Sequence, residues 1–386
     1  MSARRLIARL HRWVGLASGL VVFIVGLTGA IYVWEAELFA LSHRALVVVS
    51  RGGPRVPADD LLAAARAAVP AGHTVGRLTI ATDPERSVVA TAQFLNDGAP
   101  TYFHEFRYFE EVFLDPYSAR VLGVVNRKFE WLFLTQMVHT NLLLADWGSR
   151  IVGSATLLFV AMVVTGVVLW WPRTRRVLRL RLRVRLWGSW KRAVYDAHNV
   201  LGIYGLVGLL IVALTGPVYT WRWYATAVAW TLTGETRQLG EPVSRPIVAQ
   251  PAVRTPLEVA LGATRLRVPD ATRYTIEVPT DPSQLLTVTA VHDAASLWEE
   301  HERYYFHQAS AALLGDERFE EEDLAMTWRD TNYGIHTGTL LGWPTQVAAT
   351  LVSLLAASLP LTGALIWYPR WRGVVATPME LLSIAS

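Results

Sequence analysis

Four histidines hold the chemistry open to this sequence. His11 opens "HRWVGLASGL", His198 opens "HNVLGIYGLV", His139 opens "HTNLLLADWG" and His336 opens "HTGTLLGWPT". Spacing sorts them into two pairs, since 198 − 11 = 187 and 336 − 139 = 197, and each spacing persists along the flanking sequence. "HRWVGLASGLVVFIVGLTGAIYVW" aligns without gaps on "HNVLGIYGLVGLLIVALTGPVYTW", and "TGVVLWWPR" on "TGALIWYPR". Neutral imidazole is the commonest protein ligand for metals. Two imidazoles facing each other across an axis suit a flat haem, ligated from both faces.

The composition narrows the cofactor. Cysteine is absent, which excludes disulfides, thiolate-held iron–sulfur clusters and covalently attached haem, so any haem is b-type and held by side chains alone. One haem per pair predicts two, with His11 and His198 holding one and His139 and His336 the other. Gly15 and Gly19 after His11, and Gly202 after His198, are expected to let a porphyrin approach the backbone. Zinc or substrate iron competes at His139 and His336, but it wants carboxylates or further histidines nearby, and neither "MVHTNLL" nor "GIHTGTL" offers them.

Long apolar runs surround these histidines. Of 386 residues, 52% are hydrophobic, 16 are Trp and only 18% are charged, a membrane-protein balance. Crossing a hydrocarbon core of about 30 Å takes about 20 apolar residues, and 13–34, 151–171, 200–221 and 346–368 qualify. Each run ends in Trp or Tyr, which favour membrane interfaces. The basic opening "MSARRLIARLHR" precedes a run too long for a secretion signal and without a small-x-small cleavage site, so an uncleaved first span is predicted. Arg4, Arg5, Arg9 and Arg12, the run "RTRRVLRLRLRVRLWGSWKR", and Arg370 with Arg372 all flank spans on one side. That side is cytoplasmic by the positive-inside rule, with both termini on it. Arginine alternating with Leu or Val beside two spans predicts a helix lying on anionic lipid rather than a nucleic-acid patch.

The expected fold is a membrane α-helical protein with four transmembrane helices in two parallel repeats, related by a pseudo-twofold along the membrane normal. Its parts are a first span within 1–34, an outer unit 35–128, a histidine-bearing segment and second span 129–172, and a basic connection 173–197. A third span 198–221, a second outer unit 222–329, a histidine-bearing segment and fourth span 330–370, and a tail 371–386 complete it. Each outer unit reads as α+β. In the first, "PADDLLAAARAAV" has helical spacing and "VGRLTIA", "SVVATAQF", "TYFHEFRYF" and "EEVFLDPYSARVLGVV" read as extended runs, with a turn at Asp115-Pro116. The second repeats the order with "TPLEVALGATRL", "RYTIEV", "QLLTVTAV" and "ERYYFHQASAALLG".

Other motifs read as structural. Thr28-Gly29, Thr165-Gly166, Thr215-Gly216 and Thr362-Gly363 recur in all four spans, and backbone-bonded threonine with close helix packing accounts for them. His43 is expected on a loop surface, and His73, His104, His292, His301 and His307 in solvated or strand-packing roles. The acidic run "GDERFEEEDL" reads as a solvated helix face. Neither a dinucleotide fingerprint nor a Walker loop occurs, so electrons must come from a membrane quinol or another protein.

Together "LHRWVGL", "VFLDPYSARVLG", "HTNLL", "TGVVLWWPR" and "DAHNVLGIYG" resemble the PepSY-associated transmembrane family, and more narrowly its bacterial inner-membrane ferric-siderophore reductases. The resemblance covers nearly the whole chain. It implies periplasmic PepSY-like outer units and a haem-dependent oxidoreductase in a multi-pass inner-membrane setting. It further implies electron transfer from a quinol or cytoplasmic reductase to a ferric siderophore, with release of Fe(II). The family's histidine positions map onto His11, His139, His198 and His336. "YYFHQASAALLG" departs from the pattern by placing His307 where the first copy has Asp115, so the second copy is expected to lack the acidic turn and the two units to differ in what they bind. Arg303, Tyr304 and Tyr305 are expected contacts for the acceptor, docking between the units. The alternative is a haem-free module whose outer units bind a peptide or inhibit a protease. A permease is disfavoured, because four unbroken spans leave no polar substrate path.

Overall fold

The computed structural model describes residues 2–172, 174–185, 189–235, 251–281, 283–292, 300–321 and 323–380. Expectations resting on Arg173, on 186–188, on the tail beyond Glu380 and on the side chains of 369–380 lie outside that description. The chain opens with α1 (Ala3–Tyr32), followed by the short helices α2 (Glu35–Ser42) and α3 (Arg44–Val47). Helix α4 (Ala58–Ala68) forms where the sequence is rich in Ala and Leu, with Asp59 and Asp60 in the first turn facing the positive end of the helix dipole. It buries Ala58, Leu61, Leu62 and Ala65, one stripe at helical spacing.

Strands β1 (Val75–Ala81) and β2 (Val88–Leu95) follow, then a single helical turn α5 (Tyr102–Glu105), β3 (Phe106–Leu114) and β4 (Val121–Asn126). The expectation of one extended run from Thr101 to Phe109 is corrected here. Thr101 leads into α5, where Tyr102 is fully buried and its hydroxyl donates to the Lys128 carbonyl at 2.6 Å. Strand β3 then runs straight through "FRYFEEVFL".

Helices α6 (Trp131–Asn141) and α7 (Ala145–Trp170) complete the first half. The second half comprises α8 (Arg175–Arg181), α9 (Trp190–Tyr204), α10 (Leu206–Thr215), α11 (Arg222–Thr233), α12 (Pro256–Arg265), β5 (Arg273–Glu277), β6 (Leu286–His292), β7 (Glu300–Phe306), β8 (Leu313–Glu317), α13 (Leu324–Thr337) and α14 (Trp343–Glu380).

The two outer units are not separate bodies. All eight strands form one antiparallel sheet in the order β4-β3-β2-β1-β5-β6-β7-β8, joined where β1 pairs with β5 from Arg77–Glu277 to Ala81–Arg273. Alternate residues of both halves, among them Leu78, Ala90, Ile276 and Val288, face one core that also takes in Leu61 of α4 and Leu261 of α12. Burying each such side chain stabilises by about 1.5–3 kcal/mol, and α4 and α12 also pack on each other across the seam. The helices lock the seam by exchanging caps. Asp59 accepts the main-chain N–H of Leu257 and Glu258, and Glu258 accepts that of Ala58 at 2.8 Å. Asp59→Ala should therefore cost about 1 kcal/mol of sheet stability, read as a lower thermal unfolding midpoint with helix content unchanged.

Among the described residues, three helices are long and apolar enough to cross a membrane: α1, α7 and Trp343–Tyr368 of α14. Their outward faces carry exposed Leu20, Val164 and Leu351, as lipid contact requires. The third expected span differs from the reading of an unbroken helix. It starts earlier, at Trp190, inside the stretch assigned to the basic connection, and bends by 66° between Trp190–Tyr204 and Leu206–Tyr219. Gly205 stands at the break, where an added Cβ would lie 2.8 Å from Leu355 of α14. The aligned position in α1 is Ser18, since 205 − 187 = 18, and there the helix continues with the Ser18 hydroxyl bonded to the Val14 carbonyl.

Buried charges tie the sheet to the helices at both ends. Arg127, just before α6, meets Glu35 of α2 at 2.6 Å, Glu130 at 3.3 Å and Glu111 of β3 at 3.6 Å. Phe39 and Phe133 cover the guanidinium. Burial pushes the Glu111 carboxyl up, more than Arg127 pulls it down. At the other junction, Arg303 of β7 and Arg329 hold Asp330 of α13 at 2.7 and 2.6 Å. Burial raises the Asp330 carboxyl, but the two guanidiniums outweigh it and keep it below its ordinary range. Glu111 and Arg303 occupy matching places, since 303 − 111 = 192 is also the spacing of Asp115 and His307, so the two junctions have inverted charge.

Candidate functional site

The structure brings His139 of α6 and His336 of α13 together, at 6.1 Å between ring centroids and inclined at 62°. His11 of α1 docks on α7 and His198 of α9 on α14. Along α1, His11 lies 29 − 11 = 18 residues before the Gly29 that touches His139. At about 1.5 Å per residue the two levels are roughly 27 Å apart.

Each ring is docked through Nδ1. His11 Nδ1 meets the Thr165 hydroxyl of α7 at 2.9 Å, His198 that of Thr362 of α14 at 2.8 Å, and His336 that of Thr215 of α10 at 2.8 Å. His139 Nδ1 donates instead to the Val25 carbonyl of α1 at 2.8 Å, with the Thr28 hydroxyl at 3.5 Å. Among the described residues none of the four Nε2 atoms has a partner.

The glycines after these threonines form the floors of the seats. A Cβ on Gly29 would stand 2.8 Å from His139 Cε1, and on Gly166, Gly216 and Gly363 it would stand 3.4, 3.5 and 3.7 Å from the Cε1 of His11, His336 and His198. This extends one reading and redirects another. The threonines of the Thr-Gly steps are backbone-bonded as expected, and the steps also seat the histidines. Gly15, Gly19 and Gly202, expected beside the cofactor, face Met162, Pro360 and Leu359 of neighbouring helices. Residue type was legible in the sequence, but which helix each face meets was not.

Could these pairs hold a haem? Two imidazoles sharing one metal at about 2 Å through Nε2, each with its centroid about 1 Å further back, put the centroids about 6 Å apart. The observed 6.1 Å meets that requirement. Every ring is half-buried, and no cluster of three or more metal-ligating side chains occurs among the described residues. A planar group needing one ligand on each face fits this donor set; a structural zinc needing four does not. Tyr219 packs edge-on to His336 at 6.2 Å. One turn outward from the pair, Tyr32 and Tyr333 join hydroxyls at 3.1 Å.

Between the two levels lies an apolar layer of Val22, Phe159, Val163, Leu209 and Ala213. Beyond the outer pair, a groove of about 730 Å³ follows the β1–β5 seam, lined by Arg77, Thr91, Gln93, Glu277, Thr287 and Tyr305. Cross-strand pairing sets Glu111, Thr91, Arg77, Glu277, Thr287 and Tyr305 in one row, on the sheet face opposite α4 and α12. Arg77 and Glu277 neutralise each other at 2.7 Å.

Of the expected acceptor contacts, Tyr305 lines this groove. Tyr304 is 2% exposed and packs in the core, and Arg303 is held by Asp330. His307 is 4% exposed, and its Nδ1 accepts the N–H of Ala309 and Ser310, much as Asp115 accepts that of Tyr117. The turn therefore survives the change from Asp to His in its hydrogen bonding, while losing the acidic side chain as expected. His43 stacks on Phe39, His73 bonds Glu110, and His104 bonds Thr101. Asp323 of the acidic run caps α13, the helix that presents His336.

A search of curated proteins returns no match. The family model for the PepSY-associated TM region matches residues 8–370, from just before His11 to just past the last apolar helix. A match over nearly the whole chain, together with apolar helices of membrane-crossing length, makes this a membrane protein belonging to the PepSY-associated transmembrane family.

Proposed function

We propose that the chain is a dihaem reductase of the bacterial inner membrane, passing electrons from a quinol or cytoplasmic reductase to a periplasmic ferric siderophore and releasing Fe(II). The observation that carries this reading is the pairing of His139 and His336 at 6.1 Å with both Nε2 atoms unpartnered. In this reading the four spans form two parallel repeats, the bent α9–α10 being one of them, with the arginine-rich ends in the cytoplasm and the sheet in the periplasm.

Bound haem would supply one-electron transfer at each level. The chain supplies the rest. His11 and His198 ligate at the cytoplasmic level, and His139 and His336 at the periplasmic level. The layer around Phe159 and Leu209 excludes water from the middle of the bundle, so charge crosses as electrons and not as protons. The neutral groove along the seam, rich in hydroxyl and amide groups, receives the ferric chelate. The paired strands β1 and β5 close the sheet, so docking is on its face and not between separated units. Hard oxygen ligands hold Fe(III) far better than Fe(II), so reduction alone loosens the iron.

The test begins with the pyridine haemochrome assay, expected to give about two b-type haems per chain. The haems are then reduced anaerobically and mixed with ferric siderophores and a ferrous-specific dye. Reoxidation with Fe(II) appearing in the dye is the expected result. A haem-replete preparation with no Soret band would overturn the reading and leave the sheet as a peptide-binding or protease-inhibiting module.

A further inference from the structure

The four Thr-Gly steps do more than make room. Each threonine hydroxyl has one proton, and the main chain of its own helix takes it: Thr28 donates to Ile24 at 2.7 Å, Thr165 to Ala161 at 2.8 Å, Thr215 to Ile211 at 2.7 Å and Thr362 to Ser358 at 2.9 Å. A hydroxyl so committed can only accept a further hydrogen bond. The imidazole Nδ1 against it must then carry the hydrogen, and in a neutral ring the lone pair is left on Nε2.

The four seats are not equivalent. His11 has the Thr165 hydroxyl alone. His336 and His198 likewise have a hydroxyl, that of Thr215 or Thr362, at 2.8 Å. His139 relies on the Val25 carbonyl, and its threonine stands off at 3.5 Å. We infer that Thr165, Thr215 and Thr362 set the tautomers of His11, His336 and His198, and that Thr28 is dispensable for His139. These threonines are positioning residues: they aim Nε2 at the metal and, by accepting from Nδ1–H, raise the basicity of the ligand. The inference rests on the proposed haem ligation only for its effect on the cofactor; the tautomers belong to the chain itself.

Packing alone predicts the opposite order. The tightest seat is Gly29 under His139, where an added Cβ would stand 2.8 Å away, so a purely steric role would make the Thr28-Gly29 step the most sensitive.

Threonine-to-valine variants separate the two, because valine keeps the shape and removes the acceptor. In haem-free protein, ¹⁵N-histidine spectra should show Nδ1–H at His11, and Thr165→Val should lose that preference while Thr165→Ser keeps it. In haem-loaded protein, Thr165→Val should weaken haem retention at the His11–His198 level by about 10-fold to 100-fold and raise that haem's midpoint potential. Thr362→Val should act in the same way at that level and Thr215→Val at the His139–His336 level, and Thr28→Val should have no effect. Equal effects at Thr28 and Thr165, no rescue by serine, or Nε2–H at His11 in the wild type would overturn the assignment. A wild type that takes up no haem yet shows the predicted tautomers would sink the reductase reading and leave this inference standing.

Discussion

His139→Ala or His336→Ala should remove the haem proposed at the sheet end and leave the other in place. The expected reading is a haemochrome value about half that of the wild type, with Fe(II) release falling to background even when the remaining haem is chemically reduced. The pair would act as one unit in the proposed ligation, since each helix contributes a single histidine. His11→Ala and His198→Ala should remove the opposite haem, leave reduction by an artificial donor from the periplasmic side intact, and abolish reduction driven from the quinol pool. The outcome that would break the topology is loss of the same haem in His11→Ala and His139→Ala.

Arg127→Ala should uncouple the sheet from the helices at a cost of about 3–5 kcal/mol, the range for removing one partner of a buried ionic cluster. Three carboxylates, Glu35, Glu111 and Glu130, then face one another without a cation, and only 9% of the Arg127 side chain is exposed to solvent. The loss should depend on pH. The Glu111 carboxyl is already pushed up, by burial first, with Arg127 opposing. A carboxyl whose folded pKa is raised binds its proton more tightly in the folded state, so its unfavourable contribution is absent below the unfolded value of about 4.3, grows as pH rises from there to the folded value, and is complete above it. Removing the guanidinium raises the folded value further. The variant should therefore be closest to the wild type near pH 4–5 and furthest from it at neutral pH, by thermal unfolding in detergent. A cost independent of pH would show that Phe39 and Phe133 packing, not charge, makes the junction.

Much of this architecture follows from sequence patterns that local physics can read. Runs of about 20 apolar residues with Trp or Tyr ends specify helices of bilayer length whatever their neighbours, and α1, α7 and α14 lie where those runs do. Alternation of period two places β1, β2, β5 and β6. The shared spacings of the histidines impose their pairing, because repeated sequence builds repeated structure and puts equivalent residues at matching places.

Tertiary structure decided what depends on how elements turn toward one another. Pairing of β1 with β5 merges two α+β units into one sheet, and an open strand edge looks the same in sequence whether or not a second strand completes it. At the bend, Gly205 leaves room for Leu355, which comes from a helix 150 residues later. The exchange of roles between the glycines has the same origin. Gly15 and Gly29 lie in one helix and differ only in the direction each faces, toward Met162 in one case and His139 in the other. Hydropathy records how much of a helix is buried; the rotation of its neighbours about their own axes records against what, and only the packed bundle contains that.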